Sequence, residues 1–199
     1  MTPRTMLCTA LVLAGCAHGR CPAPASPVNT GSDVPLSEPI SAPRALTVTS
    51  TDFADGQTIP MSHVFNAFGC TGGNASPQLA WTGAPAGTRS FAVVAHDPDA
   101  PTGVGFFHWI VADLPASTTT LAGGAPLAQG AVAGRTDFGG TTYGGPCPPP
   151  GAPHHYHFTV YALDVPSLGL ADPPSGALIR FMLRAHTLAY GRITGTYGR

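Results

Sequence analysis

The chain contains no lysine, and its nine basic residues are all arginine. Charged residues make up only 10% of the 199 positions, well below the usual quarter, and the formal net charge is −1. A nucleic-acid surface needs clustered positive charge to neutralise phosphates, so this composition argues against DNA or RNA as a partner. Arginine alone would suit bidentate anion contacts, but the abundance of Ala, Gly and Pro favours genomic base composition as the cause.

Catalytic signatures are missing too, because neither Gly-x-Ser-x-Gly nor Ser-x-x-Lys occurs. Histidines and aspartates could perform acid–base work, but no activated nucleophile accompanies them. The sequence therefore predicts that the protein is not an enzyme, and it indicates no cofactor.

No apolar run is long enough to cross a bilayer; the longest near the N-terminus covers residues 6–14. This run follows Arg4 and leads into Leu13-Ala14-Gly15-Cys16, which resembles the cleavage box of bacterial lipoproteins. The pattern predicts a lipoprotein signal peptide over residues 1–15 and lipidation of Cys16. An ordinary secretory signal is the alternative. Ala17 after the cysteine favours an outer-membrane anchor that faces the periplasm.

Residues 16–45 are rich in Pro, Ala and Ser and show no periodicity, which predicts a tether that holds the domain off the membrane. Residues 46–199 form the predicted folded domain. Export permits a disulfide, and Cys70 with Cys147 is the expected pair because both lie in this domain. Cys21 lies in the tether and is expected to be free.

The folded part is predicted to consist of short strands separated by turns. Alternating hydrophobicity predicts strands at Ser90–His96, Phe107–Ala112 and Tyr156–Leu163, with Phe107, Trp109 and Val111 on one face of the second. Ser175 is the predicted N-cap of a helix that ends near Gly191. The apolar face of this helix is expected to comprise Leu178, Phe181, Met182 and Ala185. These elements predict a mostly β domain, an antiparallel sandwich with a C-terminal helix.

Two proline-rich stretches carry polar groups next to predicted strands. The first is Asp97-Pro98-Asp99-Ala100-Pro101, followed by His108-Trp109, and its prolines hold the aspartates in a defined turn. The second runs from Gly145-Pro146 to His154-His155-Tyr156, where His154 and Tyr156 share strand parity. Imidazole and phenol groups can donate to phosphate oxygens, so the two stretches indicate an anion pocket. Capping of the turn by the aspartates and a core position for His108 are the alternatives.

Together these stretches resemble the phosphatidylethanolamine-binding protein family, also called the Raf kinase inhibitor protein family, and within it the small bacterial branch. Asn74 to Trp81 and Phe53 to Pro60 match that branch as well, so the resemblance covers about residues 46–190. The resemblance implies a β-sandwich and places the anion pocket on five residues: Asp97, His108, Gly145, His154 and Tyr156. It gives supporting positions to Asp99, Pro101, Trp109 and Pro146.

A carboxylate beside an anion is unexpected, so Asp97 is predicted to keep His108 protonated and to accept a headgroup ammonium. His155 replaces a basic residue usual in the family. A metal site at His154, His155 and His157 is an alternative that the spacing does not favour.

The predicted function is that of an envelope protein, anchored by lipid, that binds a phosphate-like anion or a phospholipid headgroup. The alternative is an inhibitor of a protein partner, of protease or kinase type, that acts through the rim of the pocket. The sequence does not identify the protein partner, and the resemblance also allows a homodimer.

Overall fold

The computed structural model describes residues 46–170 and 173–199. The predicted signal peptide, the tether, Cys16 and Cys21 lie outside the described residues. Nine elements follow in chain order: β1 Thr47–Thr49, β2 Leu79–Thr82, β3 Ser90–Asp97, β4 Phe106–Pro115, β5 Thr120–Leu121, β6 Val132–Ala133, β7 His154–Leu163, α1 Gly176–His186 and β8 Thr187–Tyr197. A single 3-10 turn, Met61–His63, lies between β1 and β2.

The strands form two antiparallel sheets, as the sequence predicts. The larger sheet has the order β6-β4-β3-β7-β8 and the smaller sheet has the order β1-β2-β5. Inward-facing residues of both sheets share one core, in which Trp81 of β2 meets Phe91 of β3 at a ring distance of 5.5 Å. The alternation predicted for β3 and β7 is confirmed, because Phe91, Val93 and Ala95 and then Phe158 and Val160 all enter this core.

The opposite face of the larger sheet packs against α1. Ser175 caps the helix by accepting a hydrogen bond from the Leu178 backbone amide at 3.2 Å, as predicted. The predicted apolar face is wrong: Ile179 and Leu183 are buried, while Phe181 is 71% exposed. Gly176 belongs to the buried stripe because the Phe107 ring lies where a Cβ would stand.

The predicted end of the helix is also wrong. The helix stops at His186, and the chain continues directly into the long edge strand β8. Gly191 lies inside that strand, where a Cβ would collide with Leu46. This glycine permits close packing within a strand and does not end a helix.

A β-bulge in β4 changes the predicted facing of its first residues. Ala95 pairs with Trp109 whereas His96 pairs with Phe107, so His108 is an extra residue without a partner opposite it. Phe107 therefore faces the helix side with Ile110, while Trp109 faces the core between the sheets. The prediction that Phe107 and Trp109 share a face is wrong for this reason.

Candidate functional site

Asp97 ends β3 and is held by three hydrogen bonds. Its Oδ1 accepts from the backbone amides of Asp99 at 2.8 Å and Ala100 at 3.1 Å, which closes the turn that Pro98 begins. Its Oδ2 accepts from Nδ1 of His154 at 2.7 Å. The residue is only 3% exposed. The carboxylate thus caps the turn, and it also orients a histidine from a neighbouring strand.

His154 is the first residue of β7, and Asp97 fixes the orientation of its ring. Because Nδ1 is engaged by the carboxylate, Nε2 is the ring nitrogen left for a ligand. Tyr156 lies two residues further on the same face of the strand. The pleat therefore places both side chains on one side, as their shared parity predicts.

His108 is the bulged residue of β4, and its ring is buried. Nδ1 donates to the carbonyl of Gly144 at 2.7 Å. Burial lowers the pKa of His108, although the Gly144 carbonyl and the negative charge of Asp97 act in the opposite direction. Asp97 bonds to His154 and not to His108, and burial opposes the protonation of His108 that the sequence predicts. A neutral His108 has a lone pair at Nε2 and gains a donor there only at lower pH.

The Tyr156 hydroxyl is buried and makes no hydrogen bond of good geometry to any described residue, although the Asp97 carboxylate is close enough to act on it. Its ring packs edge-on against His108 at 5.1 Å. Burial, and then the charge of Asp97, raises the pKa of Tyr156, so the hydroxyl stays protonated. An unpaired buried donor is costly to leave, and a ligand oxygen would satisfy it.

These side chains surround one cavity of about 180 Å³. Its polar lining comes from the side chains of Asp97, Thr102, His108, His154 and Tyr156. Its apolar lining includes Phe68, Phe106, Phe138, Pro148 and Pro149, with Pro101 in the turn. The structure thus brings together four of the five residues that the family resemblance places in the pocket.

Gly145, the fifth predicted residue, is not among the residues that line this cavity, although its backbone lies close enough to the His108 ring to act on it. Its amide donates to Oδ1 of Asn74 at 2.8 Å, and a Cβ would collide with the backbone of residues 63–65. The neighbouring Gly144 supplies the carbonyl that orients His108. Gly145 therefore positions the loop by close packing and does not line the cavity.

The predicted supporting residues have different places. Asp99 accepts from the His155 amide at 2.7 Å and from its ring at 2.8 Å; both side chains are exposed at the outer edge. Partial burial would raise the pKa of Asp99, but these hydrogen bonds lower it overall.

Trp109 packs against Tyr143 in the core, at a ring distance of 5.9 Å. The Pro146 carbonyl accepts from the Phe65 amide at 3.0 Å and thereby joins the second loop to the residues after the 3-10 turn.

Sequence reasoning missed the phenylalanines of the lining and the anchoring role of Asn74. Only the location of the phenylalanines in the sequence could have indicated this role: Phe68 lies in a polar loop near Cys70, and Phe138 precedes two glycines. Cys70 and Cys147 form the predicted disulfide, with their Cα atoms 6.0 Å apart, and Cys147 lines the cavity. The disulfide thus joins the two loops that carry part of the apolar wall.

Residues 46–170 and 173–199 also bear on metal binding and on membrane insertion. No set of three His, Cys, Asp or Glu side chains in these ranges has an arrangement suited to a metal ion. The helix found there falls short of the length and hydrophobicity needed to span a membrane.

Known proteins share this sequence and this fold. Residues 49–198 match the family model described as phosphatidylethanolamine-binding protein. The chain is 49% identical to YbcL of Escherichia coli over 160 residues, which cover 77% of this chain and 87% of YbcL. The crystal structure of YbcL superposes with a TM-score of 0.75 at 47% identity and covers 78% of this chain and 99% of that chain. YbcL is described there as a new member of the mammalian PEBP family.

A second relative is similar beyond the folded domain. LppC of Mycobacterium tuberculosis, named as a candidate lipoprotein, is 36% identical over a 203-position alignment that covers 98% of this chain and 96% of LppC. The Chlamydia trachomatis homologue CT736 superposes with a TM-score of 0.68 at 32% identity, and it covers 78% of this chain and 99% of that chain.

Proposed function

Because the chain belongs to the phosphatidylethanolamine-binding protein family, we propose that it binds a phosphorylated small molecule or a phospholipid headgroup in the cavity at the ends of β3 and β7. The observation that carries this proposal is the Tyr156 hydroxyl, a buried donor without a partner among the described residues. A phosphate oxygen in the cavity would accept from it. Nε2 of His154 lies on the same lining and would add a second contact.

The lining favours binding over catalysis. Its cysteine is held in a disulfide, and its threonine hydroxyl, on Thr102, donates to the Gly105 carbonyl at 2.6 Å. Neither group is poised as a nucleophile beside a base. The histidines are oriented by Asp97 and by Gly144, an arrangement that fixes donors and acceptors for recognition.

The proposal also places the domain in the bacterial envelope. Cys16 would carry lipid, and residues 16–45 would tether the domain to the outer membrane on its periplasmic side. Similarity to LppC along nearly the whole chain supports this location. A disulfide between Cys70 and Cys147 is compatible with an oxidising compartment.

Isothermal titration calorimetry tests the binding proposal. The full chain with Cys16→Ser, which removes the acyl acceptor, is titrated with inorganic phosphate, phosphoethanolamine and a short-chain phosphatidylethanolamine. We expect saturable binding that His154→Ala weakens at least tenfold, the order expected for one charge-assisted hydrogen bond of about 1.5–3 kcal/mol. His155→Ala is the matched control, because His155 is exposed and lies outside the cavity lining. Absence of binding by every probe would contradict the proposal and direct attention to a protein partner.

A further inference from the structure

Phenyl rings form part of the cavity wall beside its polar lining, since the rings of Phe106 and Phe138 lie 5.2 and 5.3 Å from that of His108. Phe106 meets Phe138 edge-on at 4.8 Å, and Phe68 lies 6.1 Å from Phe138 with its ring inclined by 27°. Phe65 stacks on Phe138 at 4.4 Å and supports it from outside the lining. We refer to Phe68, Phe106 and Phe138 as the aromatic wall.

Phe68 is the least expected member of the aromatic wall. It is 72% exposed, and its φ of +54° lies in the left-handed region, which is costly for a bulky residue. The Phe68 ring contacts Phe65 at 5.5 Å, yet most of its surface stays exposed. Strain held at the mouth of a cavity indicates a function for the side chain that it presents. The disulfide at Cys70, two residues later, ties this loop to Cys147, which also lines the cavity.

The charge of the lining does not favour a simple anion. Asp97 contributes a carboxylate, and neither arginine nor lysine appears among the described lining residues. Burial lowers the pKa of His108, so that ring is neutral at neutral pH. His154 is paired with Asp97, so it adds no net positive charge to the lining. A ligand that brings its own positive charge alongside a phosphate therefore matches this cavity better than phosphate alone.

The aromatic wall also determines which kind of cation fits. A primary ammonium carries three N–H donors, and phenyl rings leave these without strong acceptors. A methylated ammonium has no such donors, and it is attracted to ring faces within about 6 Å of their centroids.

We propose that the ligand is a zwitterionic phosphate ester of the phosphocholine type, with its trimethylammonium group against the aromatic wall and its phosphate at Tyr156 and His154. This inference rests on the proposed function and names the ligand class. Phe68 is then the residue that determines specificity for the methylated headgroup.

Calorimetry on the full chain with Cys16→Ser tests the inference, with phosphocholine, phosphoethanolamine and inorganic phosphate as probes. We expect phosphocholine to bind about fivefold more tightly than phosphoethanolamine. Phe68→Ala and Phe68→Leu should each bring the two affinities to within about twofold, while Phe68→Trp should keep the preference. Phe181→Ala is the matched control, because Phe181 is equally exposed but lies on α1, outside the cavity lining.

A second arm distinguishes the source of the headgroup. Phosphatidylcholine and phosphatidylethanolamine in lipid nanodiscs replace the free esters. A preference for phosphocholine in solution identifies a free ester, and a preference seen only with nanodiscs identifies a lipid headgroup; either supports the inference.

The inference is overturned if phosphoethanolamine binds as tightly as phosphocholine in both arms, or if Phe68→Ala and Phe68→Leu leave the preference unchanged. In those cases binding itself persists and the proposed function stands. If neither free esters, phosphate nor nanodiscs bind, the proposed function and this inference fail together.

Discussion

Single side chains in the cavity either hold the site together or remain available to a ligand. Both oxygens of Asp97 are occupied by backbone amides and by His154. The Tyr156 hydroxyl is buried beside them and makes no hydrogen bond to any described residue. Removal of the first group would disturb the turn, whereas removal of the second would leave the fold unchanged.

Tyr156→Phe therefore separates binding from stability. Deletion of an unpaired buried hydroxyl should leave the free energy of unfolding within about 1 kcal/mol of wild type, or raise it. The same change should weaken phosphoethanolamine binding about tenfold, because one hydrogen bond to phosphate is lost. Urea unfolding and calorimetry on the same preparation measure both quantities. A large loss of stability with unchanged affinity would refute the role assigned to this hydroxyl.

His96 is expected to make stability depend on pH. Burial, and then the positive charge of Arg180, lower its pKa from 6.5 to about 4, although its hydrogen bond to the Val104 carbonyl opposes the shift. At pH values between about 4 and 6.5, His96 binds more protons in the unfolded chain than in the folded chain. Stability is therefore fully present above pH 6.5 and falls as the pH drops towards 4, by about 3 kcal/mol from this group.

Urea unfolding from pH 7.5 to pH 4 tests this dependence. His96→Gln retains a donor for the Val104 carbonyl but cannot titrate, so its loss of stability across the range should be smaller. Identical slopes for the two proteins would contradict the assignment. Other histidines are common to both proteins and cancel in the comparison.

At the scale of secondary-structure elements, loops and strand ends build the cavity. The bulge in β4 gives His108 no residue opposite it, and the turn after β3 places Asp97 beside the first residue of β7. The disulfide joins the loop after the 3-10 turn to the loop before β7 across 77 residues. This link restricts the loops that carry Phe68, Pro148 and Pro149.

Removal of the disulfide should destabilise the whole domain. Closure of a loop of 77 residues is worth about 4 kcal/mol in the chain-entropy model. The Cys70→Ala, Cys147→Ala double variant should melt well below the wild-type protein in differential scanning calorimetry. Wild-type protein treated with a reductant serves as the control and should behave like the variant. A melting temperature unchanged in both would contradict the structural role of the bond.

Sequence analysis correctly predicted the elements whose hydrophobic pattern allows only one interpretation. Alternation fixed β3 and β7, and the proline turns indicated where polar groups gather. The helix carries two overlapping apolar stripes, and only packing of Gly176 against Phe107 selects the one through Ile179 and Leu183. The bulge at His108 depends on pairing between strands, and the aromatic wall joins residues distant in sequence. Such features become visible only in three dimensions.

At the scale of the whole molecule, the proposed function gives the folded domain and the N-terminal residues separate roles. On this account the fold supplies the cavity, and the lipid on Cys16 supplies the location.

Cys16→Ser should release the protein from the membrane. A thiol at the cleavage site accepts the lipid, and a hydroxyl at that position does not, so the variant should appear in the soluble envelope fraction. Fractionation of cells after a carbonate wash, followed by immunoblotting, measures the distribution. Cys21→Ser is the control and should stay membrane-bound. Retention of Cys16→Ser in the membrane would refute the anchor.

The central claim is that the cavity beside Tyr156 holds the phosphate of the ligand. The most direct measurement is a crystal structure of the protein grown with phosphoethanolamine or phosphocholine. The account predicts a phosphate within hydrogen-bond distance of the Tyr156 hydroxyl and of Nε2 of His154. A ligand bound elsewhere, for example in the separate cavity lined by Asp99, Pro150 and His155, with no contact to the Tyr156 hydroxyl, would contradict it.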